Sequence, residues 1–175
     1  MDRLTSVGIS NTAKEFLDAA KILREKDPGL LATAQEFSNK AKIPRANEPD
    51  RFDLSNPIYF CICQSIELSL KAFLLGSGYT EEKLRNKIGH DLVKAIKKAR
   101  KLNLDVHFKF SSNDKELIRV INRYYQGKDL QYMISGIKHY PCIEQLVSLG
   151  ELLWRETRDF CISNQGFHER KDTEL

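Results

Sequence analysis

Apolar residues recur at helical spacing along most of the chain, and the polar positions between them mark where helices start and stop. Thr12-x-x-Glu15 has the form of a capping box, and Phe16, Leu17, Ala20 and Leu23 follow as one stripe. This predicts a helix from Thr12 to Lys26 behind a loose N-terminal lead over residues 1–10. Asp27-Pro28 is a second start, a cap followed by proline, and Leu30, Leu31, Ala34, Phe37 and Ala41 continue at helical spacing, as either a second helix or a kinked continuation of the first. Residues 42–55 hold Pro44 and Pro49 and no apolar period, which predicts an exposed loop.

The most informative stretch follows. Ser55-Asn56-Pro57 sets a helix start, and Ile58 to Leu75 is apolar almost all round, ending at Gly76-Ser77-Gly78. A helix apolar on most faces is buried on most faces, so the 57–75 helix should be the central element of a bundle. Tyr79 to Gly89 allows one helical turn. His90-Asp91-Leu92 opens another helix, with Leu92, Val93, Ile96 and Ala99 inward. Leu104, Val106, Phe108 and Phe110 alternate, which allows a short extended piece. Ser111 with Asp114 caps a helix carrying Leu117, Ile118, Ile121, Tyr124 and Tyr125. Residues 127–140 form a link, Pro141 starts a last helix through Phe160, and 164–175 read as a polar tail. The fold class expected is all-α: a single helical domain over residues 11–163, a bundle of about five helices.

Composition changes this picture little. A chain of 175 residues suits one domain with a sizeable core. The net charge of +4 permits a nucleic-acid partner without requiring one. Cys61 and Cys63 stand two apart on one helix and cannot pair with each other, and Cys142 and Cys161 complete the set. Free buried thiols, the want of a signal peptide and the want of a segment long enough to span a membrane lead to a cytoplasmic expectation with no membrane partner. No Cys/His box or His/Asp/Glu pair has ligand spacing, so no metal and no cofactor are expected.

Several residues carry candidate chemistry. Glu67 and Lys71 stand four apart on the most apolar helix, where a carboxylate is costly unless partnered. The pair is either a local ion pair or a support that orients an Arg or His of a site. Lys94, Lys97, Lys98 and Lys101 form a basic stripe opposite Leu92, Val93 and Ile96, either a solvated face or a track for RNA phosphates. Tyr124, Tyr125, Tyr132 and Tyr140 could stack bases, with core packing as the other reading.

The stretch Ile66-Glu67-Leu68-Ser69-Leu70-Lys71-Ala72-Phe73-Leu74, then Gly78, then Gly89-His90-Asp91-Leu92, resembles the HEPN family, helical domains of prokaryotic toxin, defence and nucleotidyltransferase-associated systems. The likeness covers residues 57–100. Many HEPN domains are metal-independent ribonucleases marked by an Arg, a polar residue after it, and a His four to six positions on. Arg85-Asn86-Lys87-Ile88-Gly89-His90 fits that pattern, with Asn86 as the polar residue, and Arg100 with His107 also satisfies the spacing. The residue types suit the chemistry. A histidine moves protons near neutrality, and an arginine holds a phosphate at two points while offsetting charge that develops on it. The resemblance thus implies an RNA- or nucleotide-interacting protein with Arg85, Asn86 and His90 catalytic and Glu67 and Lys71 supporting. It also implies a homodimer and an antitoxin or nucleotidyltransferase partner. The alternative is a non-catalytic helical protein-interaction module.

Overall fold

The computed structural model describes residues 5–26, 55–132 and 140–169. The helical stretch expected after Asp27-Pro28, nearly all of the loop over 42–55, residues 133–139 of the 127–140 link and the last residues of the tail lie outside them. Seven helices occur among the described residues, and no strand does. They are α1 (Ser6–Glu25), α2 (Ser55–Gly76), α3 (Glu81–Lys83), α4 (Leu92–Arg100), α5 (Leu104–His107), α6 (Ser112–Gln126) and α7 (Ile143–Glu169). Of these, α3 runs directly into a π-helical turn, Leu84–Ile88. The described residues form an all-α bundle, and two of their seven helices, α3 and α5, are single turns.

The central role expected of the 57–75 segment holds for α2. Ile58, Ile62, Ile66, Leu70, Phe73 and Leu74 are fully buried along its length, and α1, α4, α6 and α7 all pack on it. Asn56–Gly76 is also long and apolar enough to cross a membrane, which corrects the length expectation; 67% of that apolar stretch is buried among the other helices. The helix ends as its glycines predict. Gly78 takes a φ of +83°, and the Tyr79 N–H reaches back to the Leu74 carbonyl at 2.9 Å.

Three expectations are corrected. Residues 6–10 are not a loose lead: α1 begins at Ser6, because Thr5 caps it by accepting from the Gly8 N–H at 3.0 Å. Thr12, expected to be the cap, lies inside that helix and its hydroxyl donates to the Gly8 carbonyl at 3.3 Å. The tail is shorter than expected, since α7 runs on to Glu169. The first half of the alternating stretch, Leu104–His107, is a helical turn, and Phe108 beyond it is extended. Asn103, at φ +65°, reverses the chain, Leu104 drops into the core, and the His107 ring packs on Phe73 and Phe160. By contrast, the capping box of Ser111 and Asp114 at the start of α6 is present with both of its hydrogen bonds.

The outer helices α1 and α7 clasp α2. Trp154 of α7 donates through Nε1 to the Ser10 carbonyl of α1 at 2.9 Å, with Lys14 and Arg158 set over its ring. Lys21 pairs with Glu151, and Arg24 with Glu144 at 3.0 Å, along the same seam. All four cysteines are free, but Cys142 is exposed rather than buried. Burial pushes the Cys161 thiol up to about 11. It also raises the Cys63 thiol, and the charge of nearby Glu67 raises it further, so both are poor nucleophiles.

Candidate functional site

The π-helical turn Leu84–Ile88 explains how one segment serves both core and surface. Leu84 and Ile88 point inward and are buried, while Arg85, Asn86 and Lys87 are exposed. The turn closes with the Gly89 N–H on the Leu84 carbonyl at 3.0 Å. Gly89 then takes φ +58° and ψ −127°, a backbone state that side chains oppose, and this reversal delivers His90 beside the turn it has just left. Widened turns of this kind are frequent at functional sites.

Arg85, Asn86 and His90 line one open recess of 280 Å³, together with Lys87, Lys94 and Gln126. Three of these side chains are cationic, and Asp91, which pairs with Lys94 at 3.6 Å, also lines the recess. Two N–H groups at the start of α4 are already taken: Asn122 accepts from Leu92 N–H at 2.8 Å and Asp91 accepts from Lys94 N–H at 3.0 Å. An anion in the recess must therefore be held chiefly by side chains.

Behind the recess lies Glu67, only 1% exposed. Its Oε2 accepts from His90 Nδ1 at 3.0 Å and from the Tyr125 hydroxyl at 2.6 Å, and its Oε1 accepts from Lys71 Nζ at 2.5 Å. A carboxylate can accept from all three, which answers how α2 tolerates a charge at its centre. With Nδ1 donating to Glu67, the other ring nitrogen, Nε2, is the free one, and the His90 side chain is 59% exposed. Burial and the neighbouring Glu67 charge push the Tyr125 hydroxyl far up, so it stays a donor. Its one proton goes to the carboxylate, the stronger acceptor. Gln64, whose amide oxygen is placed 2.6 Å from the same hydroxyl, then presents its NH2 instead, since amide oxygen and nitrogen are interchangeable in outline.

The other candidates separate. Of the basic stripe, Lys94 lies on the recess, Lys97 and Lys101 are exposed away from any partner among the described residues, and Lys98 sits 5.0 Å over the Tyr79 ring. Tyr125 is buried and cannot stack a base; Tyr124 and Tyr140 pack edge to face against each other, and Tyr132 is exposed. Arg100 and His107 do not meet at a site: Arg100 is bonded to Asp105, and His107 lies against two phenylalanine rings. Among the described residues no three His, Cys, Asp or Glu side chains gather as a metal-ligand set.

Residue type singles out Glu67 but not Asn122, which is 7% exposed on α6. A polar residue inside the apolar stripe Leu117, Ile118, Ile121, Tyr125 was the available signal. No protein-family model matches the chain, and no curated protein or solved structure gives a significant match.

Proposed function

We propose that this chain is a HEPN-like RNA-interacting protein that cleaves RNA without a metal, with Arg85, Asn86 and His90 as its catalytic residues. The observation that carries the reading is their meeting in one open, cationic recess, with His90 held from behind by a buried carboxylate. His90 Nε2 takes the proton from a ribose 2′-hydroxyl, whose oxygen attacks the adjoining phosphorus. The P–O5′ bond breaks, the 5′-oxygen takes a proton from solvent, and the strand ends in a 2′,3′-cyclic phosphate. Arg85 holds the phosphate and offsets the charge that builds on it, Asn86 adds a hydrogen bond, and Lys87 and Lys94 draw the backbone in. Glu67, fixed by Lys71 and Tyr125, keeps the His90 ring in place and favours its imidazolium when the proton arrives. The setting that goes with this reading is a toxin or defence system, with an antitoxin or nucleotidyltransferase partner and two copies of the chain side by side.

The test is cleavage of mixed-sequence RNAs in excess EDTA, followed by analysis of the new ends. Parent protein should leave cyclic phosphates, and His90→Ala should lose about 10²–10⁴-fold in rate. The variant should melt like the parent, because His90 is a surface group. No cleavage by the parent across varied RNAs, with any partner removed, would make the helical interaction module the better reading.

A further inference from the structure

His90 sits in a turn with little to hold it. The bond that closes it, from Asp91 N–H to the Ile88 carbonyl, is long at 3.3 Å, and the preceding residue is a glycine at φ +58°. The next bonds come from another helix. Asn122 of α6 accepts from the Leu92 N–H at 2.8 Å through Oδ1 and donates from Nδ2 to Asp91 Oδ1 at 3.2 Å. Asp91 in turn caps α4 at the Lys94 N–H, 3.0 Å away. One side chain thus grips both residues that follow His90. One turn further along α6, Tyr125 bonds the carboxylate that His90 itself contacts. The two residues that follow His90 and the acceptor for its ring are therefore both fixed to α6, although His90 and Glu67 belong to other elements.

We infer that Asn122 is a positioning residue for His90: it holds the Leu92 N–H and the Asp91 carboxylate so that the His90 ring meets Glu67 through Nδ1 and turns Nε2 to the recess. The catalytic consequence rests on the cleavage reading above, but the placement of the ring does not. Without Asn122, the buried Leu92 N–H loses its acceptor and Asp91 loses a donor, and the turn can rotate the ring away from Glu67. A displacement of about 1 Å at a reacting group can cost on the order of 10²-fold in rate.

The experiment reads the imidazole of His90 directly, by long-range proton–nitrogen correlation spectra of labelled full-length protein. In the parent, Nδ1 should carry the proton and Nε2 should be bare. In Asn122→Ala the pattern should move toward the Nε2–H form that free histidine favours in water. Ile118→Val, one turn earlier on α6 and 1% exposed, should lower the melting temperature without moving the His90 signals, which separates positioning from general loosening. If Asn122→Ala does not fold, Asn122→Asp is read in the same way: it keeps the acceptor for Leu92 and sets a carboxylate against Asp91. For RNA cleavage, kcat should fall about 10²-fold with KM changed by less than about threefold. An unmoved His90 spectrum in a folded variant, or a parent whose His90 does not protonate at Nδ1, overturns the inference. A parent that cleaves no RNA but shows the expected spectra overturns the cleavage reading alone.

Discussion

Two Arg-to-His spacings in this chain satisfy one motif, and they end in opposite environments. At Arg85–His90 the arginine and histidine share an open recess, and among the described residues no ion pair engages Arg85. At Arg100–His107 the arginine is bonded to Asp105 by Nε at 2.8 Å, and the histidine ring lies 4.9 Å from Phe160 and 6.0 Å from Phe73. The spacing is a property of the local chain. What divides the two is the acceptor that a distant helix brings up: a buried carboxylate behind His90, and aromatic rings beside His107. A histidine backed by a carboxylate is aimed and can exchange a proton; one packed on phenylalanine is mainly a wedge between helices.

The largest test of that contrast is the pair of alanine variants. On the proposed cleavage reading, His107→Ala should leave RNA cleavage within about threefold of the parent, where His90→Ala should remove about 10²–10⁴-fold. Loss of cleavage in His107→Ala with an unchanged melting curve would reverse the assignment. Next comes the packed side of the contrast. Phe73 is fully buried on α2 beneath both His107 and Phe160, so Phe73→Ala should destabilise the fold by about 3–5 kcal/mol in denaturant melts. A loss below about 0.5 kcal/mol would mean that α2 is not the centre of the bundle.

Smaller effects sharpen the open side. Glu67→Gln keeps the shape of the acceptor and removes its charge. On the cleavage reading, kcat should fall by at least about 10-fold and by up to about 10⁴-fold, the loss seen when a carboxylate that orients a general-base histidine is replaced by its amide, with KM little changed. An unaltered kcat would show that the carboxylate serves only to satisfy Lys71 and Tyr125. Smallest of all, Arg100→Ala breaks an exposed pair, 47% and 40% exposed at its two ends, and should shift stability by no more than about 1 kcal/mol.

The helices could be read from the chain wherever a local signal sufficed. Ser111 with Asp114 and Asp91 before Leu92 cap where their side chains predict, and α2 is central because no face of it is polar enough for water. The start of α1 was not legible in this way, because Thr12-x-x-Glu15 imitates a capping box while the working cap, Thr5, precedes a short run with little apolar period. The site divides along the same line. Arg85, Asn86 and His90 lie within six positions, so their spacing alone could nominate them. Glu67 declared itself by its cost on an apolar helix. That its partners include His90, 23 residues away, and Tyr125, 58 residues away, depends on how α2, α4 and α6 pack, and no short-range pattern encodes that. Asn122 was hidden for the same reason, since its acceptor and donor both lie about thirty residues back.

The seam between α1 and α7 has a use in the laboratory. Trp154 is the chain's one tryptophan, and its indole N–H is bonded across that seam to Ser10. Its emission therefore reports whether the first and last helices are docked, and it lies on elements that contribute nothing to the recess around His90. Excited at the red edge of the absorption band, where tyrosine is dark, the protein supplies its own optical gauge of folding. A variant that has lost cleavage yet keeps the parent's emission maximum has lost chemistry, and one whose emission moves has lost the clasp.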